Sequence, residues 1–335
     1  MNNVKLAESL YTELLQRYID SNDSSVGDAE EMSKYFVRQN IYPEEIIRIH
    51  IQAIEHIFDE EMSDTFRSAF EFLLHSLTNY RKIHQYYERI EKEQLALKSE
   101  IEVAADMQHT LFTSEVPDYP HLEIGAITVP YLQMNGDYYR FVERDDGVLG
   151  VAIADIIGKG VPAALSMSMV KYAMDSFHME DLQPRNILRN LNRVVEKNIA
   201  SHMFITMFYG QYKPETSTFT YSSAGHEPGF FYHAQTDQFR EIEAKGIVLG
   251  VMKDIEYEQY EKKIQAGDKI ILLTDGVTEC KRNDRFIKRE EVIDVIKCYN
   301  HLHAQEQVNK VYQHFEHLPD FELKDDFTLI IIEKK

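Results

Sequence analysis

Apolar residues recur every three to four positions in the first third of the chain and gather into short runs in the rest. Leu6, Leu10, Leu14 and Tyr18 recur every four residues and mark one helical face. A polar break from Ser21 to Gly27 follows. A later helix starts at Pro43, because proline suits a first helical turn and Glu44 and Glu45 favour the positive end of the dipole. Its Ile46, Ile47, Ile49, Ile51, Ile54 and Ile57 cover more than one stripe. Such a helix is either fully buried at the centre of a core or shared between a core and a partner chain. Ile83, Ile90, Leu97, Ala104 and Leu111 are then spaced by seven, with Glu88, Lys92, Lys98 and Glu100 among the polar residues between them. A sustained seven-residue repeat predicts a coiled-coil seam. At the second seam position Tyr87 and Ile101 fit and Gln94 does not, so a solitary amphipathic helix is the alternative to a stalk joining two copies.

After Pro117 the runs become short and β-rich. Tyr138 to Val142 and Val148 to Ala154 flank Asp145-Asp146-Gly147, and Asp-Gly between such runs predicts a hairpin. Its centre near residue 146 or 147 sets Asp137 opposite Asp155 to within a residue. Lys269 to Leu273 runs into Thr274-Asp275-Gly276, and Phe327 to Ile332 starts directly after Asp325-Asp326. A strand that ends in Asp and a strand that begins with Asp share an edge only when antiparallel. The expectation is an antiparallel sheet with four or five carboxylates gathered at one end.

Glycine and proline sharpen the division. Of 14 glycines only Gly27 precedes Gly125, and of 9 prolines only Pro43 precedes Pro117, so the chain is helical to about residue 115 and turn-rich α/β beyond. Its 335 residues suffice for two domains. The balance of 36 basic against 56 acidic residues, a net −20, opposes both a nucleic-acid footprint and docking on an anionic membrane. Two cysteines, Cys280 and Cys298, are too few for a disulfide framework or a zinc cluster. No run approaches the roughly 20 apolar residues of a membrane span, and the first residues lack the pattern of a signal peptide. A soluble, cytoplasmic protein is expected.

Clustered carboxylates repel unless they are protonated or neutralised by cations. Within these motifs the only basic residues are Lys159 and Lys324, and neither His nor Cys occupies the key positions. Hard divalent ions, Mg²⁺ or Mn²⁺, are the natural complement. Two of them sharing one carboxylate would activate a water at neutral pH. Turn chemistry is the bland account of any single Asp-Gly, and it weakens as the set grows. Gly158-Lys159-Gly160-Val161-Pro162-Ala163-Ala164, before an apparent helix from Ala163 to Met174, has a dinucleotide-binding outline. The preceding Asp155, the proline in the loop and the hairpin connections oppose it, and a Walker loop is excluded because Lys159 is not followed by Ser or Thr.

Gly136-Asp137-Tyr138-Tyr139, Ala154-Asp155-Ile156-Ile157-Gly158-Lys159-Gly160, Ala224-Gly225-His226-Glu227-Pro228, Leu249-Gly250, Thr274-Asp275-Gly276-Val277-Thr278-Glu279 and Asp325-Asp326-Phe327-Thr328 follow one another in order. This ordered set, over about residues 117–335, resembles the metal-dependent serine/threonine phosphatases (PPM family) of the bacterial SpoIIE/RsbU branch. The segment Glu102-Val103-Ala104-Ala105-Asp106-Met107-Gln108 resembles the regulatory linker of that branch. The N-terminal region is similar to the small helical domain of those members that activate a general stress sigma factor.

The resemblance implies an α+β chain: an all-α N-terminal domain and helical linker, then an α-β-β-α sandwich of mainly antiparallel sheets. The corresponding segments are 1–80, for dimerisation and partner binding, 81–116 for the linker, and 117–335 for the phosphatase domain. Two Mn²⁺ or Mg²⁺ ions are implied at the sheet end. Asp155 would bridge them, with the catalytic water between, and the Ile156 carbonyl would help bind one; many relatives have glycine there, a change that a carbonyl ligand tolerates. Asp137 would serve the second ion, and Asp275 with Asp325 the first, Asp326 competing with Asp325. His226 is either a general acid or a turn residue packed beneath the sheet edge. The implied substrate is phosphoserine on a STAS-domain anti-sigma-factor antagonist, the implied partners are a kinase-like switch protein and a second copy of the chain, and the implied outcome is release of a stress sigma factor. The rivals are a catalytically silent scaffold and a two-metal hydrolase of another phosphoester, such as a nuclease.

Overall fold

The computed structural model describes residues 2–21, 26–59, 62–112, 114–158, 160–176, 183–199, 203–282 and 285–335. Residues 22–25 of the expected polar break, and Lys159, lie outside the described residues. Two compact units are formed, Met1–Lys98 and Ser99–Lys335.

The first unit holds α1 (Asn2–Ser21), α2 (Val26–Arg38), α3 (Pro43–Phe58) and the first part of α4 (Asp64–Phe112). Pro43 opens α3 as expected, and the Glu45 carboxylate accepts the Tyr42 N–H at 3.0 Å, capping the first turn. The core is small: Ala7, Met32, Phe36, Ile41 and Ile49, with Tyr11, Leu14, Tyr35 and Ile46 packed around it. The helical face expected on α1 is therefore displaced. Ala7, Tyr11 and Leu14 point inward, while Leu6 (62% exposed) and Tyr18 (55%) point outward. A four-residue spacing tracks one stripe of a helix, but only packing decides which stripe meets the core. Of the α3 isoleucines only Ile49 is buried and the rest are half-buried, which excludes the fully enclosed central helix. On α4 the seven-residue seam is part of one unbroken helix, with Ile83, Leu97 and Leu111 each more than half exposed.

The second unit begins within α4 and continues through β1 (Leu122–Val129), β2 (Asp137–Glu143), β3 (Leu149–Ile156), α5 (Val161–Ser176), α6 (Pro184–Asn198), β4 (Ile205–Lys213), β5 (Thr218–Ala224), β6 (Gly229–His233), β7 (Gln238–Ile242), β8 (Tyr260–Lys263), β9 (Lys269–Leu273), β10 (Lys281–Arg282), β11 (Arg285–Phe286), α7 (Arg289–Cys298), α8 (Ala304–Glu316), β12 (Phe321–Glu322) and β13 (Phe327–Lys334). Two five-stranded sheets, ordered β1-β13-β9-β6-β7 and β2-β3-β4-β5-β8, are antiparallel throughout, and β11-β10-β12 form a small third sheet.

Alternation along the strands explains the layering. Val151, Ile153, Phe208 and Phe219 of one sheet face Ile124, Ile270, Leu272 and Ile330 of the other. Ala152, Ala154 and Met207 turn outward onto α5 and α6, and Ile271, Leu273, Leu329 and Ile331 turn outward onto α7 and α8. The result is the expected α-β-β-α sandwich. The single sheet with all the carboxylates at one end is corrected: two facing sheets supply them, because strands with both faces apolar need partners on both sides.

Helix α8 lies close on β1. A Cβ on Gly125 would stand 2.2 Å from the Ala304 carbonyl oxygen, so only glycine permits this approach. Gly125→Ala is expected to cost about 1–3 kcal/mol through overpacking. A denaturant midpoint equal to that of the parent protein would show that the helix does not need this clearance.

Candidate active site

The β2–β3 hairpin has the predicted register: Asp137 stands opposite Asp155, seven rungs from the turn. Gly147 supplies the positive φ of +74° that the turn requires. In the other sheet β9 ends at Leu273, opposite Leu329 of β13, so Asp275 follows one strand and Asp325-Asp326 precede its neighbour. The two sheet ends meet at Asp137. Its Oδ2 accepts hydrogen bonds from Thr274 Oγ1 at 2.7 Å and Thr328 Oγ1 at 2.6 Å. These threonines carry a polar connection between the sheets, and sequence reasoning missed them because their motifs were read for acids alone.

Burial is the main influence on the charge state of both hairpin carboxylates. Asp137 is pushed well above the ordinary carboxylate range by burial and then by the neighbouring Asp155, against which the two threonine hydroxyls act. Asp155 is pushed up to about 7 by burial and then by the negative charges of Asp275, Asp325, Asp326 and Glu279. The structure thus brings every predicted aspartate into one electrostatic field, and adds Glu279, which the sequence reading quoted but did not single out. Among the described residues no three His, Cys, Asp or Glu side chains are already closed around a single point. The donor set nonetheless fits a hard divalent cation: it consists of oxygens, and a cation would relieve the repulsion that raises Asp155.

The two adjacent aspartates are engaged differently. Asp326 Oδ1 accepts the Tyr131 N–H at 2.6 Å and its Oδ2 accepts the Gly136 N–H at 2.5 Å, so both oxygens brace the loop that leads into β2. Asp325 Oδ1 accepts the N–H of Asp326 at 2.9 Å. Ile156 donates its N–H to the Gly136 carbonyl at 3.2 Å, and its own carbonyl oxygen would lie 3.4 Å from a Cβ placed on Gly136. The tight Gly136 corner therefore keeps the Ile156 carbonyl and the Asp326 carboxylate together.

His226 is buried, its Nδ1 is 2.9 Å from Thr206 Oγ1, and Thr206 stands opposite Asp155 on β4. This arrangement matches a packed residue beneath the sheet edge. Burial pushes the imidazole down to about 4, so the neutral ring is the one the fold accommodates.

Comparisons with known proteins are consistent across the chain. Residues 145–335 match the family model of Stage II sporulation protein E (SpoIIE), and residues 9–81 match that of the phosphoserine phosphatase RsbU N-terminal domain. The phosphoserine phosphatase RsbU of Bacillus subtilis is 44% identical over 332 residues, covering 99% of this chain and 98% of that protein. Among solved structures, the SiaA-PP2C domain of Pseudomonas aeruginosa superposes with a TM-score of 0.61 at 16% identity, covering 72% of this chain and 99% of that one. The RsbU and RsbW domains of a Mycobacterium tuberculosis protein superpose with a TM-score of 0.57 at 22% identity, covering 65% and 63%.

His226 carries a pH signature. Its folded value lies below the unfolded value of about 6.5, so its contribution is complete above pH 6.5 and is lost as pH falls toward 4. The drop amounts to about 3 kcal/mol. Stability measured by denaturant titration should fall through this window, and His226→Asn should flatten the dependence. An equally steep dependence in the variant would assign it to other groups.

Proposed function

The chain belongs to the SpoIIE/RsbU family of phosphoserine phosphatases, and from that premise we propose that it hydrolyses phosphoserine on a STAS-domain anti-sigma-factor antagonist at the sheet ends where Asp137 and Asp155 meet Asp275 and Asp325. The observation that carries this reading is the Asp137–Asp155 rung, which joins the field of the opposite sheet's aspartates. In this assignment Asp155 would be the carboxylate common to two divalent ions, Mn²⁺ or Mg²⁺, and Asp137, Asp275 and the Ile156 carbonyl would supply further oxygens. Asp325 is preferred to Asp326 as a ligand because both Asp326 oxygens brace backbone N–H groups. When bound, the ions would ease ionisation of the attacking water and neutralise charge on the phosphoryl oxygens.

The chain's own residues do the positioning. Asp155 would also be the group beside which the attacking water is oriented. Thr274 and Thr328 orient the Asp137 carboxylate, and His226 supports Thr206 behind Asp155 without exchanging protons with substrate. The magnesium complex described for RsbX, a structure with a TM-score of 0.50 and 19% identity covering 67% of this chain and 100% of that one, supports the choice of cation class. Among the described residues no helix is long and apolar enough to cross a membrane. Dephosphorylated antagonist would capture an anti-sigma kinase and so release a general stress sigma factor.

The helical unit would receive an activating kinase-like switch protein, and the α4 seam would pair two copies. The exposure of Ile83, Leu97 and Leu111 on a continuous helix supports that pairing.

Asp155→Asn is expected to lower phosphate release from phosphorylated STAS protein by more than about a hundredfold, with the fold retained. EDTA should silence the parent enzyme reversibly, and release that persists in excess chelator would refute the metal-dependent reading. Replacing Ile90 and Leu97 with Asp would place four like charges in a paired seam. Sedimentation should then report a lighter particle or a loss of partner response; a double variant that stays dimeric and responsive would exclude the seam as the pairing surface.

A further inference from the structure

We propose that Gln108, on the last turns of α4, is a positioning residue for Asp137, acting through Asn135, and that this contact sets the affinity of the site for its divalent ions. The proposal rests on the reading of Asp137 as a metal ligand.

Gln108 is the buried polar residue of a helical segment whose neighbours Asp106, Met107, His109 and Thr110 are exposed. Its amide is used on both sides by the backbone of one residue. Nε2 donates to the Asn135 carbonyl at 2.7 Å, and Oε1 accepts the Asn135 N–H at 2.9 Å. This is the pairing a neighbouring strand would offer, and it fixes the orientation of the peptide groups on either side of Asn135.

Asn135 passes that orientation on with its side chain. Oδ1 accepts the Asp137 N–H at 2.8 Å, and Nδ2 donates to Thr128 Oγ1 at 2.8 Å. Thr128 Oγ1 lies 2.9 Å from Thr328 Oγ1, and Thr328 donates to Asp137 Oδ2 at 2.6 Å. Because the single Thr328 hydroxyl hydrogen is spent on Asp137, Thr128 donates to Thr328. The bonds form a ring that leaves Asp137 at its N–H and returns at its carboxylate. All four hydrogen-bonding groups of Asn135 are engaged, two toward Gln108 and two toward the ring.

Phe112, one turn further on, packs against Tyr138. A cavity of about 360 Å³, lined by Ala105, Gln108, Phe112, Asn135, Asp137 and Met167 among others, lies beside the contact of Gln108 with Asn135. The amide pair ties the position of the helix segment to that of Asn135. A residue that orients a ligand from outside the coordination sphere typically changes metal affinity by 10–100-fold when lost.

The test uses the full chain and Mn²⁺ alone, measured by calorimetry, alongside phosphate release from a phosphoserine peptide. Gln108→Leu should weaken Mn²⁺ binding about ten-fold and lower kcat at limiting Mn²⁺. Activity should recover at saturation, with KM for the peptide unchanged. Asn135→Ala should reproduce the effect, and the double variant should be no worse than either single one, because Gln108 reaches Asp137 only through the Asn135 side chain. Gln108→Glu, which keeps the shape and the acceptor but not the donor, should fall between parent and Gln108→Leu, and it decides the matter if Gln108→Leu does not fold. Parent-like Mn²⁺ affinity in a folded Gln108 variant, or effects that multiply in the double variant, would overturn the proposal. Asp137→Asn separates the two levels. If it binds Mn²⁺ as the parent does, the ligand reading fails and the proposal with it. If it weakens binding while Gln108 variants do not, only the proposal fails.

Discussion

Two carboxylates on one rung of a sheet, both shielded from water, repel each other at short range, and much of the second unit is arranged around that repulsion. The hairpin register sets Asp137 beside Asp155, and no change of rotamer removes the conflict because both belong to paired strands. The fold meets it with donors on one side, where Thr274 and Thr328 bind Asp137 from the opposite sheet. On the other side it adds more negative charge, which leaves Asp155 dependent on a cation or a proton. A cation bound there would relieve the repulsion that raises Asp155.

The legible part of this arrangement was the part encoded by local chemistry. Asp-Gly between two β-rich runs fixes both the turn and, by counting outward, the partners at the far end, which is why Asp137 and Asp155 met as expected. Which sheet a strand joins depends on contacts across the whole domain, so the origin of Asp275 and Asp325 in a second sheet was invisible to counting. The distinction between Asp325 and Asp326 rests on which backbone N–H groups approach each carboxylate, and no spacing rule carries that information. Gln108 was legible only as the end of a segment that resembles a regulatory linker, and its pairing with Asn135 is a tertiary contact that no spacing carries.

The helical unit shows the opposite balance. Its elements were readable from periodicity, but its buried faces were not, because among the described residues its core cluster is small and several apolar side chains remain outside. Leu6, Phe66 and Phe72 are each more than 60% exposed. Exposed apolar surface on this scale is a poor end state for a monomer in water. It accords with a unit whose final packing includes other chains.

The order of strands in the first sheet has a consequence for biosynthesis. β13 is the last strand in the sequence, yet it lies between β1, the first strand of its unit, and β9. During translation β1 must wait some two hundred residues for its neighbour, and β9 has one open edge until residues 327–334 emerge. The segment that completes the sheet also delivers Asp325, Asp326 and Thr328. A nascent chain halted before that segment lacks both the strand that links β1 to β9 and one wall of the acidic cluster. Synthesis order thereby leaves the acidic cluster incomplete until the end of the sheet has emerged.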